Sequence, residues 1–150
     1  MGLDMYLNAD IYVSDYSDKD LPLVEAVKQG VTGGLEKFHP KNITFELAYW
    51  RKANAIHGWF VRNIQEGNDD CGDYHVSLDK LKELKETCEK VLDDISLANE
   101  LLPASKGFFF GSYDYDEYYE RDLENTVDKL DKILSSPNCK DWWIQYHSSW

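Results

Sequence analysis

The sequence predicts an α+β fold: a small antiparallel sheet covered by about three helices, in a single two-layer domain over residues 1–150. The sheet is read from two segments, 3–13 (LDMYLNADIYV) and 43–50 (ITFELAYW), both rich in β-branched and aromatic residues with imperfect alternation. The helices are read from two long charged stretches whose apolar residues recur every three or four positions. With 150 residues, 43% of them hydrophobic, the chain has enough material for a core of its own.

In chain order, 3–13 is the first expected strand. SDYSDKD reads as a turn, LPLVEAVKQG as a short helix, and Gly33, Gly34 and Pro40 punctuate a loop. The second strand, 43–50, leads directly into a helix from about Arg51 to Gln65. At 100° per residue that helix places Ala53, Ile56, Phe60 and Ile64 on a core arc with His57 and Val61 at its edge. Arg51, Ala55, Gly58 and Arg62 fall on the opposite arc flanked by Asn54, a set of small residues that invites a close approach. NDDCGDYH, 68–75, reads as a turn-rich connector. Ser77 then caps a helix from 78 to about 100, striped by Leu78, Leu81, Leu84, Cys88, Val91, Leu92, Ile95 and Ala98 and ending before Pro103. The run 107–112 is an expected third strand. A last helix, 116–135, carries Tyr119, Leu123, Val127, Leu130 and Leu134, and WWIQYHSSW is too aromatic for a loose tail, so it either adds a strand over 142–148 or packs over the sheet.

Charge and composition narrow the function. A net charge of −12 opposes a sequence-independent grip on DNA or RNA, which needs cations to neutralise phosphates. No apolar run reaches the roughly 20 residues of a membrane helix, and an acid stands where a signal peptide carries positive charge; a cytoplasmic protein is expected. Tyr6 also breaks the myristoylation pattern. Cys71, Cys88 and Cys139 are odd in number, far apart and without a C-x-x-C pair, so reduced structural thiols are expected. The charge is uneven: residues 114–132 hold eight carboxylates against three cations, while 43–62 hold Arg51, Lys52 and Arg62 against Glu46 alone. Such a basic spot in an acidic chain suits a small anion.

Two stretches concentrate candidate site residues. YWRKANAIHGWF, 49–60, supplies Tyr49 and Trp50 to stack a flat ring, Arg51 and Lys52 to meet phosphate, Asn54 to read a base or sugar edge, and His57. GFFFGSYDYDEY, 107–118, supplies Gly111 and Ser112 at a rim, Tyr115 for stacking and Asp116. Each has a plainer reading: Trp50 and His57 in the core, GFFFG as a buried strand, and the acidic run as a helix start favoured by the dipole. GFFFGS lacks the lysine of a P-loop, no G-x-S-x-G elbow marks a nucleophile, and Asp69, Asp70, Cys71, Asp73 and His75 fit neither an EF-hand nor a zinc spacing. No catalytic residue, metal site or cofactor is assigned.

MGLDMYL, YWRKANAIHGWFV and GFFFGSYDYDEYY, in this order, resemble a family of small uncharacterised proteins of phage and prophage genomes. The resemblance spans most of the chain and brings no catalytic residues with it; 14–42 and the C-terminus lie outside the three motifs. It implies an accessory role in a host cytoplasm, counter-defence included. The leading expectation is a non-enzymatic binder that sequesters a small phosphorylated, nucleotide-like ligand, as a homo-oligomer if the sites require it. The alternatives are a phosphodiesterase or other hydrolase with His57 as base and Asp116 or Glu117 as acid or metal ligand, and an acidic protein that docks on a basic host protein or mimics nucleic acid.

Overall fold

The computed structural model describes residues 2–35, 37–105 and 114–150. Their elements run β1 (Asp4–Tyr12), α1 (Leu21–Thr32), β2 (Asn42–Arg51), α2 (Asn54–Asn63), β3 (Tyr74–His75), α3 (Leu78–Asp93), α4 (Ala98–Leu101), α5 (Glu117–Leu134) and β4 (Trp143–Ser149). The fold is α+β, with a four-stranded antiparallel sheet in the order β2-β1-β4-β3 and five helices among the described residues. The expected strand at 107–112 lies outside those residues.

Two compact units divide the chain: residues 10–45, and residues 1–9 with 46–150. In the smaller unit, α1 begins with Pro22 in its first turn and stops at Gly33, whose φ of 66° is the left-handed cap that glycine adopts without cost. The turn before it is tied by the Ser14 N–H to the Asp20 carboxylate at 3.2 Å, and by His39 Nδ1 to Asp15 at 2.5 Å.

The larger unit holds the main core. Strand alternation sends Met5, Leu7 and Ala9 of β1, Ala48 and Trp50 of β2, and Ile144 and Tyr146 of β4 to one face of the sheet, all buried. Leu81, Leu84, Cys88 and Val91 of α3 and Tyr119, Leu123, Leu130 and Ile133 of α5 complete it, and the two helices pack along each other. Ser77 caps α3 by accepting from the Lys80 N–H at 3.3 Å, and Asp116 caps α5 by accepting from the Tyr118 and Tyr119 N–H groups.

Three expectations are corrected. Residue 51 ends β2 instead of starting a helix, because the pairing continues one residue further: the Lys52 N–H donates to the Leu3 carbonyl at 2.8 Å, Lys52 then turns with φ 59°, and α2 starts at Asn54. The helix expected to reach 100 stops at Asp93, since Asp94 is extended and its carboxylate accepts from the Ser96 N–H and hydroxyl, restarting the chain as a 3-10 turn and then α4. Tyr74 and His75, expected in a connector, instead pair with Tyr146 and Gln145 as the short edge strand β3. The C-terminal segment does form a strand.

Candidate functional site

Trp50 and Arg51 are neighbours on β2, and the two-residue period sends them opposite ways. The Trp50 indole is buried, with its N–H donating to Thr126 Oγ1 of α5 at 2.9 Å and its ring tilted against Phe60 at 6.2 Å. It offers no open face for stacking. Arg51 reaches the mouth of a cleft of about 280 Å³ between the β2–α2 turn and the start of α5.

The turn side of that cleft is built by Arg51, Lys52 and Asn54, and the helix side by Asp114, Asp116, Tyr118, Tyr119, Arg121 and Asp122. Two features of the sequence force this arrangement. The positive φ at Lys52 bends the chain so that both cations stand at the strand end, and the Asp116 cap fixes the first turn of α5, from which Tyr118, Arg121 and Asp122 project at three- and four-residue spacing. The Arg121 guanidinium lies over the Tyr118 ring at 4.9 Å. Among the described residues, no carboxylate comes within ion-pairing distance of Arg51, Lys52 or Arg121. Burial pushes the Asp122 carboxyl up to about 6; Arg121 and Lys129 oppose the shift and Asp116 adds to it.

Asn54, though it lines the cleft, is engaged within the chain, and Tyr115, Tyr49 and His57 go elsewhere. Asn54 is nearly buried and accepts from the Ser105 N–H through Oδ1 at 3.1 Å. Tyr115 sits one step behind the cleft wall, edge-on to Tyr119 at 5.0 Å, with its hydroxyl donating to Asn99 Oδ1 at 3.3 Å. Tyr49 faces the other side of the sheet, where its hydroxyl donates to the Asp4 carboxylate. Gly111 and Ser112 lie outside the described residues.

His57 is only 1% exposed and does not line the cleft. Its Nδ1 meets the Tyr146 hydroxyl at 2.7 Å and its Nε2 meets Asp69 Oδ2 at 3.1 Å, while the Trp150 indole N–H donates to Asp69 Oδ1 at 3.0 Å. One tautomer satisfies this chain: Nε2–H donates to Asp69, and Nδ1 accepts from Tyr146, whose phenol is itself shifted well upward by burial. Asp116, which the hydrolase reading sets beside Glu117 as acid or metal ligand, stands in the cleft wall capping α5, whereas His57 does not line the cleft.

The arc of small residues on α2 does admit a close approach, from within the chain. A Cβ added at Gly58 would lie 2.0 Å from Ser105 Oγ, so glycine makes room for the segment after Pro103. α2 is buried from Asn54 through Phe60, so Ala55 and Gly58 of the expected arc are closed off, while Arg51 and Arg62 at the two ends of that arc stay exposed.

Sequence reading missed Tyr118, Arg121 and Asp122 as cleft residues. Their common spacing from the Asp116 cap was the available signal, masked by the acidity of the whole 114–132 stretch. Among the described residues, no group of three or more His, Cys, Asp or Glu side chains could hold a metal ion, and no helix is long and apolar enough to cross a membrane. The chain matches no protein-family model, no curated protein and no solved structure.

Proposed function

We propose that the chain binds a small phosphorylated, nucleotide-like ligand in the cleft between the β2–α2 turn and α5. The observation that carries this reading is the set of three cations, Arg51, Lys52 and Arg121, which border one concavity and have no ion-pair partner among the described residues. Asp114, Asp116 and Asp122 line the same hollow, so it is mixed in charge; what the cations offer an anion is a set of charge-assisted donors not taken up by an ion pair among the described residues. Arginine suits phosphate because its planar fork donates two parallel hydrogen bonds. Tyr118 lines the same hollow, an aromatic surface for a base, and the Asp122 carboxyl is an acceptor for ribose hydroxyls or a base amino group. A volume of about 280 Å³ suits a mononucleotide-sized ligand better than a polymer; small-molecule pockets begin near about 300 Å³.

The reading is of a binder that holds its ligand unchanged. His57, the residue most suited to proton transfer, is committed to Asp69 and Tyr146 away from the cleft. In the phage setting implied by the sequence motifs, a binder of this kind would act by sequestering a nucleotide signal of host defence. Mass spectrometry of small molecules released on denaturing protein incubated with lysate of infected cells tests this. An intact phosphorylated nucleotide at near-stoichiometric yield supports it. Recovery of a cleaved product supports a hydrolase instead, and recovery of nothing phosphorylated removes the reading.

A further inference from the structure

The face of the sheet turned away from the core carries a second feature, independent of the cleft. Alternation places Asp4 and Tyr6 of β1, Leu47 and Tyr49 of β2, and Trp143, Gln145 and His147 of β4 on that face, with His75 of β3 paired to Gln145. The rings form two clusters, one across β2, β1 and β4 and one between β3 and the start of β4. Tyr49 and Tyr6 have centroids 5.3 Å apart, Tyr6 and His147 6.1 Å apart, and His75 stacks on Trp143 at 3.9 Å. Trp143 is 54% exposed and Tyr49 36%, so ring area stays open to solvent.

Aromatic clusters on sheets suit two kinds of partner, and charge decides between them. Beside cations they stack the bases of a single-stranded nucleic acid. Here the flanking charges are carboxylates: Asp4 accepts from the Tyr49 hydroxyl, and Asp73 Oδ1 lies 3.2 Å from His147 Nδ1. Arg51 at the end of β2 is the one Arg or Lys at these outward strand positions, and the chain as a whole carries −12. A phosphate backbone would be repelled, whereas guanidinium groups gain both ring faces and carboxylates. We propose that this aromatic, carboxylate-edged sheet face docks a cationic, arginine-rich peptide segment of a partner protein.

The test is a chemical-shift titration of the full chain with a nine-residue peptide of alternating glycine and arginine, at about 150 mM salt, where long-range charge attraction is screened within about 8 Å. The shifts should concentrate on Tyr6, Tyr49, Trp143 and His147. Tyr49→Leu and Trp143→Leu, which leave the net charge unchanged, should each weaken binding about two- to fivefold, as expected for one exposed cation–π contact, while Tyr49→Phe retains affinity. If Tyr49→Leu fails to fold, Trp143→Leu reads the same loss. The proposal is overturned if the shifts fall instead on the acidic helices α3 and α5, or if both leucine variants bind as the parent does. It is equally overturned if a single-stranded RNA oligomer moves the same resonances, or if they move with protein concentration alone, which would assign the face to a second copy of the chain.

Discussion

The cleft beside α5 and the buried chain of Asp69, His57 and Tyr146 each take residues from the same dozen positions, 49–60, and they have opposite character. Both contain ionisable groups among aromatics. Around His57 both ring nitrogens have partners, within 2.7 and 3.1 Å, and the ring is closed off from water. In the cleft three cations stand around a hollow with no ion-pair partner among the described residues. The difference teaches that density of functional side-chain types does not mark a site. What marks it is whether their hydrogen-bonding and charge requirements are already met inside the fold.

The comparison is broken most severely by substitutions on the closed side. Trp50→Ala removes a buried indole, so a loss of about 3–5 kcal/mol is expected in denaturant unfolding, in the range for large aromatic deletions; Thr126 keeps its bond to the Asp122 carbonyl. His57→Ala should cost on the order of 3 kcal/mol, because it empties a buried site and takes the His57 partner from the buried Tyr146 hydroxyl, while Asp69 keeps the Trp150 indole N–H. If His57→Ala left stability intact but abolished ligand binding, the division between the two regions would be wrong. A smaller effect on the same side is Thr126→Val, where an indole N–H loses its acceptor for about 1–3 kcal/mol.

On the open side the effects should appear in binding and spare the fold. Arg51→Ala is expected to weaken a phosphorylated ligand about tenfold, the scale of one charge-assisted hydrogen bond, while the thermal midpoint stays within a degree or two.

The smallest expected effect sharpens the comparison through pH. The Asp122 carboxyl titrates near 6 in the folded chain, above the ordinary carboxylate value of about 3.9. The folded state therefore holds more protons than the unfolded state between about pH 4 and 6, and stability falls as pH rises through that window. Asp122→Asn should remove this slope and stabilise the protein at pH 7 by about 1 kcal/mol, a figure already reduced for the group's partial exposure. The same substitution should tighten anion binding at pH 7, since a negative charge leaves the cleft. An unchanged pH profile in Asp122→Asn would show that the carboxyl is ordinary.

Much of the fold was legible in sequence because its signals are local. The α5 stripe of Tyr119, Leu123 and Leu130, the Ser77 cap and the strand character of 3–13 each depend on neighbours a few positions apart. The start of α2 was misplaced because residue 51 takes its conformation from β1, across the sheet, and no periodicity within 49–60 records that pairing. β3 is two residues long and exists only because β4 lies beside it. At the candidate site, Arg51, Lys52, Asn54 and Asp116 were recognised, since the turn and the cap that place them are written nearby. Trp50, His57 and Tyr49 were grouped with them because sequence adjacency conceals which face of a strand or helix a side chain takes, and α2 is buried from Asn54 through Phe60. Arg121 and Tyr118 were overlooked because their role comes from a cleft wall supplied by a segment about 65 residues away.

The most direct measurement is calorimetric titration of a panel of mono-, di- and cyclic nucleotides into the parent protein, Arg51→Ala, Arg121→Ala and Tyr49→Leu at low ionic strength. We expect at least one phosphorylated ligand to bind the parent, with about tenfold loss in each arginine variant and none in Tyr49→Leu. Ligand binding that both arginine substitutions leave unchanged, or no binding by any phosphorylated member of the panel, would contradict the assignment of the cleft.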